Sequence, residues 1–407
     1  MLAVSPLEEL SPTTQSWLSN ADKVERKRLG QYMTPKTLRD RLLDAVALRP
    51  GMKVLDPGVG TGEFLRSVLE REPNCEVFGW DIDERVLAHA REAVPQAHLQ
   101  TRDALAPLQG ETFDLVIGNP PYFQFKADQA TRTRFSQVIS GRPNIFALFF
   151  QTAIESLREG GQIAFVVPPS MNNGAYFQGL RKYISSTCSI DSLKIAKGSH
   201  LFEDAQTAVQ LIVLTKGGSS DRHTFTRRCP QSGFSRTIFA EDPSLYEELF
   251  QGRRSLFELG FEANTGTIVW NQVKDRLRSS FSQDTVPLIW AHNLQDGEIL
   301  LDNNPRKKQY VVASRRQYGP AILVNRIVGS VGSGSIRCAF APDNFEFVGE
   351  NHTNVVTPRN FHEDLVDWGH LLQALMSQET AERVRLLTGN TQVSATELTH
   401  LLPIDVR

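Results

Sequence analysis

The chain has 407 residues, 40% hydrophobic and 22% charged, with a formal net charge of −2 at pH 7. That is enough for two domains, each with its own core, and the composition is that of a soluble globular protein. No apolar run is long enough to cross a bilayer, and the overall charge gives no general nucleic-acid signal.

The amino terminus, MLAVSPLEEL, lacks the basic and apolar segments of a signal peptide, which predicts a cytoplasmic protein. Cys75, Cys188, Cys229 and Cys338 lie far apart with no C-x-x-C pair. That spacing argues against a zinc site or a disulfide framework and predicts buried or surface thiols. Up to about residue 220, the strand-like runs MKVLD, CEVFGWD, FDLVIGN, GQIAFVVP and AVQLIVLTK alternate with helical segments. This predicts an α/β, Rossmann-like first domain with a parallel sheet covered by helices on both faces. In NIFALFFQTAIESLREGG, Ile145, Phe149, Ala153 and Leu157 recur four apart on one face, and Gly160-Gly161 is expected to end that helix. KGGSSDR reads as a linker, giving domains 1–220 and 221–407, the second an α+β domain of short strands, Gly-rich turns and terminal helices.

The first chemical motif is VLDPGVGTGEFL, a strand entering a turn with Gly58, Gly60 and Gly62 and then a helix. Such glycines let backbone approach a ligand and leave amide groups free to bind it. The spacing matches neither the dinucleotide fingerprint nor a phosphate-binding loop for nucleoside triphosphates. Asp81 follows the second strand, where an acid commonly bonds a ribose hydroxyl, and Ile82 is placed to lie against a purine ring. Asp83 is expected to cap the helix beginning at Glu84. Asp103, followed by Ala104, comes after the third strand, where its carboxylate can accept from a ligand amino group. Acids at successive strand ends fall where open α/β sheets bind ligands.

GNPPYFQF follows the fourth strand. Pro121 fixes a backbone angle and biases Pro120 to an extended form. The Asn119 side-chain carbonyl and the Pro120 backbone carbonyl are then expected to point at one spot, binding both hydrogens of an amine. Tyr122 offers a face for a planar base. The reading is a base with an exocyclic amine.

These motifs strongly resemble the N6-adenine DNA methyltransferases of the γ arrangement, in which cofactor motifs precede the catalytic motif and a target-recognition domain follows. The resemblance covers nearly the whole chain. LGQYMTP resembles the family's G-Q-[YF]-x-T-P motif and implies that Gln31, Tyr32, Thr34 and Pro35 help hold S-adenosylmethionine. VLDPGVGTGEFL resembles its D-P-x-x-G-x-G-x-[FL] motif. That implies cofactor contacts from Asp56, Pro57, Gly58, Gly60 and Gly62, with Asp81, Ile82, Asp103, Ala104, Asn119 and Pro121 completing the set. GNPPYF is similar to the [DNS]-P-P-[YFW] motif and implies a catalytic group of Asn119, Pro120, Pro121 and Tyr122. Phe202, in GSHLFEDAQT, falls where the family packs an aromatic ring on the flipped base. LLTGNTQVSATELTHLLPI resembles the closing segment of target-recognition domains. Val59 stands where cysteine is usual, and Asp81 where many members have glutamate.

The resemblance implies double-stranded DNA as partner, a possible cognate restriction endonuclease, and action as a monomer. A cationic nitrogen in the transition state requires aimed dipoles and positioning rather than a strong base, so no catalytic His or Cys and no metal is expected. The polar segment FQFKADQATRTRFSQVISGRPN, with Lys126, Arg132 and Arg134, is expected to be a mobile loop that orders over the substrate. No acid lies between Asp302 and Asp343. Arg306, Lys307, Lys308, Arg315, Arg316, Arg326 and Arg337 therefore suggest a phosphate-binding surface, with Arg326 and Arg337 as leading contacts. Asn325 and Asn354 are read as turn caps. The rivals are an N-P-P-Y methyltransferase acting on a release-factor glutamine or rRNA, an inactive DNA-binding module, and a fused restriction enzyme.

Overall fold

The computed structural model describes the chain except residues 1–4, 109, 111, 142, 173, 197–207, 220–221, 327–335, 361–366, 389–391 and 407. The chain divides into two compact units, Met1–Thr226 with Thr237–Pro243, and Arg227–Arg236 with Ser244–Arg407.

The first unit begins with helices α1 (Pro12–Asn20), α2 (Lys23–Leu29) and α3 (Lys36–Leu43). There follow β1 (Lys53–Asp56), α4 (Glu63–Arg71), β2 (Glu76–Asp81), α5 (Glu84–Ala93), β3 (His98–Thr101), β4 (Phe113–Gly118), α6 (Gln129–Arg134) and α7 (Ile145–Ser156). The unit is completed by β5 (Leu157–Val167), α8 (Gln178–Thr187), β6 (Cys188–Ala196) and β7 (Val209–Lys216). Strands β1–β7 form one sheet in the order β3-β2-β1-β4-β5-β7-β6. All neighbours pair in parallel except β7, which is antiparallel to both β5 and β6. The five apolar runs read from sequence are strands, but the sheet is mixed rather than purely parallel. The edge strand β6 escaped because polar residues interrupt its apolar pattern at a register shift between Ile190 and Ser192.

Alternating side chains bury both faces of the sheet. Leu55, Val116, Phe165 and Ile212 join one core, and Val54, Leu115, Val166 and Leu211 the other. The periodicity in α7 predicted one buried face, yet the helix is buried without a break from Phe146 to Ile154. It also stops earlier than Gly160-Gly161. The β4–β5 pairing jumps from Phe113–Leu157 to Leu115–Gln162, and the two glycines lie in that bulge. Gly160 takes φ 73° there. At Gly161 a Cβ would sit 3.1 Å from the Phe113 carbonyl oxygen, so bulge geometry, not helix termination, requires a small residue.

The second unit contains a four-stranded sheet ordered Phe261–Thr265, Thr353–Pro358, Ala321–Asn325 and Cys338–Ala341. Its five-stranded sheet runs in the order Leu277–Arg278, Tyr310–Val312, Thr285–Ile289, Glu346–Gly349 and Gln317–Tyr318. Helices Trp368–Met376 and Gln378–Thr388 lie near the end of the chain. Asn325 and Asn354 are buried strand residues, not turn caps. Asn325 accepts from the Arg337 backbone N–H at 2.6 Å, and Asn354 donates to the Val393 carbonyl at 3.0 Å. All four cysteines are buried free thiols. Among the described residues no helix is long and apolar enough to cross a membrane.

Candidate active site

The strand order reverses between β1 and β4, and their carboxyl ends open a crevice there. The cleft is lined by Gly30 to Thr34, by Asp56 to Thr61 with Glu63, and by Asp81, Ile82, Asp103, Ala104, Asn119 and Pro121. The sequence-derived cofactor set thus converges on one cavity, except that Gly62 and Pro35 cap the ends of helices beside it.

The glycine turn is closed by its own hydrogen bonds. Gly58 N donates to Asp56 Oδ1 at 3.0 Å and Gly60 N to Asp81 Oδ2 at 3.0 Å. Val59 N donates to the Trp80 carbonyl at 2.9 Å and Gly62 N to the Val59 carbonyl at 2.8 Å. The amides of the turn itself are thereby engaged, whereas the helix start after Gly62, where ligand-binding amides were expected, has no side-chain cap. What the glycines supply is backbone without side chains, with Gly60 at φ 52° and Gly62 at φ 88°. Val59 is buried under Gly79, whose Cβ would clash with it at 2.8 Å, so an apolar side chain serves at that position.

Asp56 is fully buried, and burial pushes its carboxyl up to about 8 against the relief given by Gly58 N–H. Burial also raises Asp81, partly offset by the backbone N–H groups of Asp83 and Gly60. Each Asp81 oxygen has accepted one such bond, which leaves lone pairs for a diol. Asp83 caps α5 through Arg85 N, as its position predicted. Ile82 is 69% exposed, an open apolar face at a strand end.

Asn119 follows β4 with its amide held at both ends. Nδ2 donates to the Tyr32 carbonyl and to Thr34 Oγ1, each at 3.1 Å. Oδ1 accepts from the Tyr122 hydroxyl, which also lies 2.6 Å from the Val166 carbonyl. The Tyr122 ring is half-buried, edge-on to Phe146, while its hydroxyl end is enclosed, and burial drives the phenol well above its ordinary range. Pro120 is buried. The sequence reading gave Tyr122 only a stacking role. It missed the Tyr122 hydroxyl because the stacking face of that ring drew attention away from its polar tip.

Beside the cleft lies a second network that sequence reasoning missed. Glu63, at the start of α4, accepts from Ser11 N at 2.8 Å, Thr14 Oγ1 at 2.7 Å and Arg66 Nη2 at 2.9 Å, and pairs with fully buried Arg39. Burial raises the Glu63 carboxyl, but Arg39 with the Ser11 and Thr14 bonds outweighs it and brings it down to about 2. The available signal was the second acid of the glycine motif, directly after Gly62.

The segment after the motif is less open than expected. Gln124 bridges to Asn144, Asp128 caps α6 through Thr131 N at 2.8 Å, and Ala127, Phe135 and Val138 are buried anchors. Its apolar residues were too few to register against the polar majority, yet they tie the segment to the core. Phe202 lies outside the described residues, as does the Gly/Ser stretch 327–335. The basic candidates do not share one fate. Lys126, Arg306, Arg315 and Arg337 are exposed. Arg316 pairs with Glu346 at 2.8 Å, Lys307 Nζ sits 4.9 and 4.6 Å from the Trp270 and Trp290 ring centres, and Arg326 donates to the Asn351 carbonyl at 3.4 Å. Arg132 in α6 lies 3.4 Å from the Gly141 carbonyl.

Comparison with known proteins points in the same direction. Residues 75–202 match the model of the Eco57I restriction-modification methylases. Over 398 residues the chain is 28% identical to modification methylase CviBIII of Paramecium bursaria Chlorella virus NC1A, covering 95% of this chain and 97% of that one. It is 25% identical to type II methyltransferase M.CvrRI of Paramecium bursaria Chlorella virus XZ-6E, covering 91% and 93%. It is also 21% identical to type II methyltransferase M.PstI of Providencia stuartii, covering 93% and 88%. Over nearly its whole length the chain is similar to restriction-modification methylases.

Its methyl donor is S-adenosylmethionine, and the cleft residues suit that molecule. Exposed Ile82 would offer a face to a purine, the remaining lone pairs of Asp81 would suit a ribose diol, and a cleft that also carries Asp103 would suit the cationic remainder. When bound, this group supplies an electrophilic methyl on a sulfonium. These relatives support DNA methyltransferase activity with that donor.

Proposed function

We propose that the protein is a site-specific DNA methyltransferase that modifies the exocyclic N6 amine of an adenine flipped out of double-stranded DNA. The observation that carries this reading is the fixed amide of Asn119 at the end of β4. Tyr32 O can only accept a hydrogen bond, so the amide atom facing it is Nδ2, and Oδ1 faces the opposite way as an acceptor.

The target base must leave the stack, at a cost of a few kcal/mol, before its amine reaches the cleft. The ring of Tyr122 offsets that cost by stacking, and Phe202 is assigned the same task. Asn119 Oδ1 and the Pro120 carbonyl accept the two amine hydrogens and draw the nitrogen lone pair out of the ring. Pro121 holds that turn rigid. As the amine arrives at Oδ1, the single Tyr122 hydroxyl proton has Val166 O at 2.6 Å as its alternative acceptor. Charge developing on the attacking nitrogen is stabilised by these carbonyl dipoles, so no general base is needed. We assign the cofactor to Gln31, Tyr32, Thr34, Pro35, Asp56, Pro57, Gly58, Gly60, Gly62, Asp81, Ile82, Asp103 and Ala104. Target recognition falls to residues 221–407, with exposed Arg306, Arg315 and Arg337 as phosphate contacts. The protein is assigned to the cytoplasm as a monomer, with a cognate endonuclease as its biological counterpart.

The test uses purified protein, labelled S-adenosylmethionine and unmethylated genomic DNA, with nucleoside mass spectrometry of the product. N6-methyladenine from the wild type and none from Asn119→Ala is the expected result. Label entering RNA or a protein instead, or methylcytosine as the product, overturns the reading.

A further inference from the structure

The segment Gly30–Thr34 entered as a cofactor motif, but its contacts reach the catalytic turn. A Cβ on Gly30 would lie 2.9 Å from Pro121 Cβ and 3.2 Å from Tyr122 N, with φ already at 69°, so the backbone of this segment is seated directly on the N-P-P-Y turn. Two residues on, the Tyr32 carbonyl takes one Asn119 amide hydrogen, and the Thr34 hydroxyl, 2% exposed, takes the other at 3.1 Å. Met33 between them approaches Thr61 of the glycine turn, with its sulfur 3.4 Å from Thr61 Oγ1. One short stretch therefore touches both motifs.

An amide whose carbonyl must accept from a substrate amine has two orientations related by a half-turn, and only one presents oxygen. The wrong one would aim an N–H at the incoming amine. Tyr32 O alone leaves one amide hydrogen unmatched. With Thr34 Oγ1 both are bound, and reversal would set the Asn119 carbonyl oxygen against the Tyr32 carbonyl oxygen. Thr34 accepts in this bond, so its own hydroxyl proton remains for another partner in the cleft.

We infer that Thr34 is a positioning residue for methyl transfer: by binding the second Asn119 amide hydrogen it holds the amide in the orientation set by the Tyr32 carbonyl, with Oδ1 presented to the target amine. The inference rests on the adenine-methyltransferase reading for its effect on rate, though not for the hydrogen bond itself. It also separates two roles usually merged in one motif, holding the cofactor and orienting the catalytic amide.

The test compares wild type, Thr34→Val, which keeps the shape and loses the acceptor, and Thr34→Ser, which keeps it. Saturating kcat is expected to fall about tenfold or more in Thr34→Val and to recover to within about threefold of wild type in Thr34→Ser, the scale of one hydrogen bond. Affinity for S-adenosylhomocysteine by calorimetry is expected to fall by less than kcat does, since Thr34 is one of many residues lining the cofactor cleft. In protein labelled with 15N-asparagine, the Asn119 side-chain amide, assigned by its absence in Asn119→Ala, is expected to exchange faster in Thr34→Val than in wild type and Thr34→Ser. Unchanged exchange, or a defect that saturating cofactor restores, overturns the inference. The exchange readout needs neither DNA nor cofactor. If it behaves as expected while the wild type leaves adenine unmodified, the functional reading has failed and the positioning bond stands.

Discussion

The hydroxyl of Tyr122 lies 2.6 Å from the carbonyl oxygen of Val166, near the end of β5, so the ring behind the N-P-P-Y turn is tied to the sheet as well as to Asn119. Tyr122→Phe keeps the stacking face and strands a buried carbonyl. Stability is expected to fall by about 1–2 kcal/mol, read as a lower melting temperature, with methyl transfer kept within about tenfold. Tyr122→Ala also removes the base platform, and kcat/KM is expected to fall a further tenfold to hundredfold, roughly. Equal activity in the Phe and Ala variants would remove the ring from the mechanism.

Arg39 and Glu63 form a buried pair in which neither partner has water to fall back on. Arg39→Ala is expected to cost about 3–5 kcal/mol in urea unfolding. Glu63 has its carboxyl lowered from an ordinary 4.5 to about 2, so the unfolded chain binds the proton more readily. Its contribution is complete above the unfolded value and fades as pH falls toward 2. The stability gap between wild type and Glu63→Gln should therefore narrow between pH 5 and pH 3; a constant gap would contradict the assignment.

Asp56 has the opposite sign. Its carboxyl is raised from 3.8 to about 8, so at neutral pH the folded state holds a proton that the unfolded state has released. Folded stability then declines as pH rises through that window, and the decline is complete above pH 8. Asp56→Asn has no such proton to lose. Urea midpoints at pH 6, 7.5 and 9 should show wild type losing ground to the variant at each step, and parallel curves would refute this.

Exposed Arg315 and paired Arg316 are adjacent in sequence but differ in what they offer DNA. Arg315→Ala is expected to weaken DNA binding and to flatten the salt dependence by about 0.9 in log–log slope. The Arg316–Glu346 pair carries no net charge. The double variant Arg316→Ala with Glu346→Gln should leave affinity within about twofold and the slope unchanged. Anisotropy titrations across a salt series decide between the two, and a slope change in the double variant would place Arg316 on the phosphates.

Much of this protein was set by its sequence alone. The apolar runs of β1, β2, β4, β5 and β7 follow from the need to bury both faces of a central sheet, and the helices between them lead to strand ends where ligands bind. The glycine turn and the N-P-P-Y turn are equally local, because Gly and Pro act on their own backbone angles. The tertiary structure decided everything that depends on a distant partner. Sequence patterning could not orient β7, because an antiparallel strand buried on both faces has the same composition as a parallel one. Nor could it show that Thr34 holds the amide of Asn119, 85 residues later, or that Arg39 neutralises Glu63, 24 residues on. Charge and hydrogen-bonding capacity are written in the residue, but the group that satisfies them is chosen by which strands and helices pack side by side.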